Sequence, residues 1–243
     1  SAAYTSIDTP GSALNQPGWR RDFEVGWQTG RDVISSTSGD NLTTAPFSLG
    51  GTLATPPPGT FFGGGGGGVS QIFAQPAYQR GAIGSYTGRV VPDISALADP
   101  NTGLLVGQTQ TFSDGTYYDE YRIGGTSVAA PLTAGMAAVA DQIVGSPLGF
   151  LNPRIYQAYK SSSTAFYDVD QATLFGTSTK QRLPSVVRVN YKNSENSDGG
   201  LSYSLRTLEE PNQSLHSTRG FDTATGVGTP NGSNFFTAIS APQ

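Results

Sequence analysis

The stretch Gly124-Gly125-Thr126-Ser127-Val128-Ala129-Ala130-Pro131 sets a small nucleophile between a glycine turn and the start of a helix. Upstream, Leu104 to Phe112 and Tyr117 to Ile123 read as two strands around Asp114-Gly115, a hairpin whose second strand runs straight into the glycines. Downstream, Val128, Leu132, Met136, Val139 and Ile143 recur at helical spacing to about Val144, with Ala and Gly between them for close packing. Pro131 is expected in the first turn, where N–H groups have no intrahelical partner, and Gly145 supplies a stop. Ser127 is therefore expected where a strand hands over to a helix.

A serine at that place sits among backbone N–H groups that face incoming negative charge, and the helix dipole adds roughly 0.3–1 kcal/mol in favour of an anion. The ordinary alternative is that Thr126 or Ser127 simply caps the helix. A nucleophilic serine also needs a group to take its proton, and the chain has one histidine, His216.

Composition narrows the field. With 243 residues the chain can bury a core, and one domain is the simplest reading. Thirty-two glycines, 16 prolines and 13% charged residues indicate many turns and long ordered loops, while 36% hydrophobic residues argue against wholesale disorder. A net charge of −4 and a pI near 4.9 leave no electrostatic footprint for nucleic acid or an anionic membrane. No uninterrupted apolar run approaches ~18 residues, so no membrane-spanning helix is expected. The absence of cysteine removes disulfides and thiolate zinc sites without fixing a compartment. Ser1-Ala2-Ala3-Tyr4 reads as a processed or trimmed end.

Residues 1–62 are rich in turn formers, with short apolar pieces at Phe23 to Trp27 and Asp32-Val33-Ile34 that predict one or two strands. Gly63 to Gly68 form an unbroken glycine run followed at once by Val69, Ile72 and Phe73. An ordered loop in which backbone approaches something closely is favoured there over a linker. Gly88 to Ser95 reads as a short buried strand ended by Pro92. A second helix is expected from Pro153 to Lys160, with Ile155, Ala158 and Tyr159 on one side. Between Thr173 and Asn212, Val186 to Val189 and Leu201 to Leu205 flank Asp198-Gly199-Gly200 as a second hairpin. Three regions result: 1–62, loop-rich with short strands; 63–170, a core with the nucleophile; and 171–243, an insertion and a loop of turn formers before the apolar tail Phe235 to Ile239.

The Gly-Thr-Ser-Val-Ala-Ala-Pro string resembles the subtilisin-like serine peptidases. In the subtilisin branch the base is a histidine that precedes the serine, whereas His216 follows Ser127, so that branch is disfavoured. The neighbouring branch, the sedolisins or serine-carboxyl peptidases, uses a glutamate and an aspartate as base pair and a further aspartate at the oxyanion site. Several stretches resemble it: the glycine run before Val69-Ser70, Pro76-Ala77-Tyr78-Gln79, Val91-Pro92-Asp93-Ile94-Ser95-Ala96, Ala98-Asp99-Pro100, Gly124 to Pro131, and Leu148 to Pro153. The resemblance implies an α/β fold, a subtilisin-like mainly parallel sheet with helices on both faces, of which this chain is the C-terminal part. It assigns Asp93 and Asp99 structural positions rather than catalytic ones.

The resemblance also implies a calcium site, with Asp168-Val169 and Thr218-Arg219-Gly220-Phe221-Asp222 as its halves. By analogy Asp168 and Asp222 give side-chain oxygens, and Val169, Thr218 and Gly220 give carbonyls, a donor set suited to a hard cation such as Ca2+. Without the family, two aspartates so far apart are more simply read as solvated turn residues.

The family's catalytic acids lie one helical turn apart, yet no Glu-x-x-x-Asp occurs here: Glu24, Glu120 and Glu195 are followed four residues on by Gln28, Gly124 and Gly199. Asp40 stands in a Ser-Gly-Asp context like that of the oxyanion aspartate, but too close to the glycine run for that role. The resemblance thus implies that the acids lie before Ser1, on an N-terminal chain of the same precursor. The expected function is hydrolysis of peptide bonds at acidic pH through Ser127, on peptide or protein substrates, in a secreted, extracellular protein with no nucleic-acid or membrane partner. Two further readings are a catalytically inactive, calcium-stabilised scaffold or binding domain, and a carbohydrate-binding or adhesive surface protein. Tyr117, Tyr118 and Tyr121 line either a substrate groove or, more simply, an ordinary sheet.

Overall fold

In the computed structural model the described residues are 24–33, 60–100, 103–170, 182–188, 201–208 and 214–242. Among these described residues, ten strands and four helices follow in chain order. They begin with β1 (Gln28–Val33), β2 (Thr60–Gly64), β3 (Gly68–Val69), α1 (Ala77–Ile83) and β4 (Val90–Val91). Next come β5 (Leu104–Phe112), β6 (Gly115–Ile123), α2 (Thr126–Val144) and α3 (Asn152–Ser161). Last come β7 (Phe166–Tyr167), β8 (Arg182–Arg188), β9 (Leu201–Leu208), β10 (Thr229–Pro230) and α4 (Gly232–Ile239).

The chain is α/β as expected, but the mainly parallel sheet implied by the resemblance is not found among the described residues, where every strand pairing is antiparallel. The reason is local for β5–β6, where Phe112 faces Gly115 across a two-residue turn that only antiparallel strands can use. It is topological for the largest sheet, ordered β2-β1-β9-β8, in which β1 from one end of the chain lies between β2 and β9. β8 and β9 form the second expected hairpin, with Arg188 opposite Leu201.

The core lies where α3, α4 and the segments around them meet. Ile155, Tyr156, Ala158, Phe166, Val227, Phe235 and Ile239 are buried together, with Ala140 from the far half of α2. Phe166 and Phe235 pack edge to face at 5.7 Å. α3 was legible from its spacing, and Ile155 and Ala158 indeed face inward, joined by Tyr156. The apolar row predicted on α2 is different: Val128 and Ala140 are buried, whereas Val139 and Ile143 are exposed. Met136 still packs against the core, so among the described residues it is the far end of the row, Val139 and Ile143, that stands open. α2 is also the one described helix long and apolar enough to cross a membrane, a composition that core helices share.

Polar groups fasten these pieces. Asp93 accepts hydrogen bonds from Tyr156 Oη at 2.7 Å, Gln79 Nε2 at 3.2 Å and Asn152 Nδ2 at 2.7 Å, and pairs with Arg89. Gln79, fully buried in α1, also spans to β4 through Val90 N and O at 3.0 and 2.7 Å. Burial, reinforced by the neighbouring Asp93, pushes the Tyr156 phenol pKa up, so it remains a donor at any working pH. The structural role implied for Asp93 is met.

The glycine run is ordered. Gly63 and Gly64 end β2, Gly68 opens β3, and Gly65 donates to Trp27 O at 2.7 Å. A Cβ at Gly67 would collide with the carbonyl oxygen of Thr223, while at Gly65 and Gly66 it would meet open space. Close approach thus explains Gly67, and Gly63 against the Trp27 ring, rather than the whole run.

Candidate functional site

Ser127 is exposed, the second residue of α2, directly after β6 and the Gly124-Gly125 turn. Gly125 is the residue that caps the helix, with φ +86°, a conformation that favours glycine. Its carbonyl accepts the N–H groups of Val128 and Ala129 at 2.9 and 3.3 Å. The ordinary reading of Thr126 or Ser127 as the cap therefore fails: both lie inside the helix, and no side-chain cap bond is made. The Ser127 hydroxyl is left for other use, beside first-turn N–H groups that helix geometry does not pair.

Pro131 does not fall in the first turn. Because the helix opens at Thr126, Pro131 lies beyond the first N–H groups that have no i−4 partner, and its missing N–H leaves the Ser127 carbonyl without its i+4 donor. Pro131 thus alters the turn that carries Ser127.

The turn is braced from below. Gly125 N–H donates to Ala98 O at 2.5 Å, and a Cβ at Gly124 would meet the Ala98 carbonyl oxygen at 2.6 Å. Gly103 presses equally closely against the Ile123 carbonyl. Glycine at 103 and 124 is required by packing here, which at Gly124 adds to the turn expected from the sequence.

Three of the described carboxylates are engaged elsewhere. Glu24 Oε2 accepts from Thr229 Oγ1 at 2.7 Å, Asp141 Oδ1 from Leu148 N at 2.8 Å, and Asp93 belongs to the network above. Asp40 and Glu195 lie outside the described residues, as do residues 1–23. His216 is half-buried just before Thr218, in the loop of the proposed cation site. Tyr118 lies across Gly107 on the hairpin, and Tyr117 Oη donates to Asp114 O at 3.2 Å, which fits sheet packing.

The two halves of that cation site meet. Gly220 N–H donates to Asp168 Oδ2 at 2.7 Å, and Thr218 N–H to Asp222 Oδ2 at 2.8 Å. Pairing of β7 with β10 brings residues 166–168 beside the loop that ends at Thr229. Asp222 is buried, and its Oδ1 accepts from Ala224 N at 2.8 Å and Thr225 N at 2.7 Å, so it shapes its own turn. Asp168 is exposed and Val169 buried. Burial raises the Asp168 pKa, opposed by the Gly220 N–H, and the charges of Asp170 and Asp222 raise it further against Arg219. Crowded acidic oxygens that repel one another suit an oxygen-seeking cation. Among the described residues no cluster of three or more His, Cys, Asp or Glu side chains is arranged for a metal, so a cation here would depend on backbone carbonyls. Of the two aspartates, Asp168 is solvent-exposed and Asp222 is buried in its own turn.

No family model matches the chain. Among curated proteins it is 42% identical over 99 residues to kumamolisin of Bacillus sp. (strain MN-32), across 37% of this chain and 16% of that protein. It is 32% identical over 198 residues to the probable tripeptidyl-peptidase SED2 of Arthroderma benhamiae, across 77% of this chain and 29% of that protein. It is 26% identical to xanthomonalisin of Xanthomonas sp. (strain T-22), across 76% of this chain and 21% of that protein. The chain thus spans less than a third of the length of these relatives. A solved Pseudomonas sedolisin (serine-carboxyl proteinase), complexed with two molecules of pseudo-iodotyrostatin, aligns with a TM-score of 0.49 at 21% identity, covering 87% of this chain and 45% of that one. On the sequence matches, the chain belongs to the sedolisin family.

Proposed function

We propose that this chain is the nucleophile-bearing part of a serine-carboxyl peptidase that hydrolyses peptide bonds at acidic pH, with the catalytic glutamate and aspartate and the oxyanion aspartate on polypeptide outside it. The observation that carries the proposal is the exposed Ser127 hydroxyl at a strand–turn–helix junction, relieved of any capping duty. Ser127 Oγ bonds to the scissile carbonyl carbon and gives its proton to the carboxylate base. The amine leaves with a proton, and water then hydrolyses the acyl-enzyme. First-turn N–H groups face the developing oxyanion. A carboxylate base still accepts protons in acid, where histidine would already carry one. Both endopeptidase and tripeptidyl-peptidase activity on peptides or proteins fit the relatives' names.

The polypeptide that brings the acids is also the natural cover for the exposed apolar row of α2, since an uncovered row of this kind marks a contact surface. Two-chain processing of one precursor is one way to supply it. Asp168 and Asp222, with the carbonyls of Val169, Thr218 and Gly220, are the residues to hold Ca2+, which when bound neutralises the crowded carboxylates and orders the loop. Secretion, and the absence of a membrane or nucleic-acid partner, belong to the same proposal.

The test is peptide cleavage near pH 4 by the full-length protein that contains this chain. Activity in the wild type and its loss in Ser127→Ala supports the proposal, and equal activity in both rejects it. If the wild type is inert while Ca2+ still raises its melting temperature, the calcium-stabilised scaffold is the better reading.

A further inference from the structure

The geometry points to the segment Asp93–Pro100 as a strap that positions Ser127, with Asp93 as its anchor and positioning residue. This rests on the proposed role of Ser127. At its near end the strap is clamped by the loop after Asp222. Val227 N–H donates to Asp93 O at 3.0 Å, and Ser95 N–H donates to Gly228 O at 3.1 Å. Gly226, at φ +67°, lies so close that a Cβ would meet the Asp93 carbonyl carbon and oxygen at 2.5 Å. Only a residue without a side chain fits both the conformation and the space.

At its far end the strap carries the nucleophile turn through the Gly125 N–H to Ala98 O bond and the contact of Gly124 with Ala98 and Pro100. Between the two ends, the Asp93 carboxylate holds Gln79 of α1, Tyr156 and Asn152 of α3, and Arg89 beside β4. A carboxylate accepting four donors from three directions has little freedom to swing, because each bond lost leaves a donor or the charge itself poorly solvated. Rigid contact at both ends converts a displacement of the 225–228 loop or of α3 into a displacement of the Ser127 turn. In-line attack tolerates little such movement: misplacement by about 1 Å from a remote change costs on the order of 100-fold in rate.

The experiment compares Asp93→Asn and Gly226→Ala, which disturb the strap at the same end from different sides, with Asn152→Ala, which removes one donor and serves if Asp93→Asn fails to fold. All are made in the full-length protein. The expected result is a fall in kcat of about 10- to 100-fold per folded molecule with KM little changed. It comes with faster hydrogen exchange at the Gly125 amide and unchanged protection in α3 and α4. Unchanged exchange at Gly125, or a loss of activity that only tracks the unfolded fraction, overturns the strap. The exchange measurement needs no turnover, so it decides the strap even where Ser127→Ala shows that the peptidase proposal is wrong.

Discussion

α2 and α3 are neighbours in sequence with opposite relations to the rest of the chain. α3 carries charged and polar residues, Arg154, Gln157 and Lys160, yet buries Ile155, Tyr156 and Ala158 in the core. α2 is far more apolar and buries only Val128 and Ala140, with Val139 and Ile143 open at 42% and 57%. Amphipathic α3 has its partner within the chain. The apolar residues all round α2 match a helix meant to be covered on more sides than the described residues provide. Self-sufficiency and incompleteness thus sit seven residues apart.

The largest effect expected from this contrast is in the core: Phe235→Ala, which empties the site packed against Phe166, should cost about 3–5 kcal/mol in urea unfolding. Within the glycine run, Gly67→Ala should cost about 1–3 kcal/mol because it drives a methyl group into the Thr223 carbonyl. Gly65→Ala, facing open space, should stay within about 0.5 kcal/mol, and equal losses at the two sites would refute the close approach at Gly67.

A smaller effect concerns Asp168. Its pKa is raised in the fold, so without a cation the folded state binds the proton more tightly than the unfolded chain, and this contribution to stability is lost as pH rises from the ordinary carboxylate value through the raised one. Added Ca2+ should therefore lift the melting temperature more at neutral pH than at pH 3. Asp168→Asn should remove most of that gain. A Ca2+ response equal at both pH values, or preserved in Asp168→Asn, would count against the site. The smallest expected effect is Ile143→Ala on α2, within about 0.5 kcal/mol for this chain alone. The same change should weaken association with the polypeptide proposed to carry the acids, and a loss as large as that of Phe235→Ala would mean α2 is already covered.

Much of this was legible from short-range patterns. Both hairpins, α2 and α3 follow from periodicity and turn residues that act over a few positions, and the resemblance linked Asp168 to the 218–222 loop, whose Gly220 N–H donates to it. α1 was missed as a helix because its seven residues show no clear apolar period and its amide anchor, Gln79, is a polar residue in a fully buried place. The Asp93 network was not readable either, since its donors come from positions 79, 89, 152 and 156 and only the folded chain brings them to one carboxylate. Pro131 was misplaced by where the helix begins: Gly125 rather than a hydroxyl residue provides the cap, which moves the helix start upstream of the expected Val128.

The sheet β2-β1-β9-β8 sets a schedule for folding. Its second strand, β1, pairs Thr29 with Leu208 and Val33 with Ser204, so nearly the whole chain must leave the ribosome before that pairing can form. Loop closure over such a separation is slow and comes before its contacts reward it. Until then β1 has only β2 beside it, while the β5–β6 hairpin, α2 and α3 are already free to form, so the serine-bearing turn can be assembled before the sheet at the chain's start is sealed.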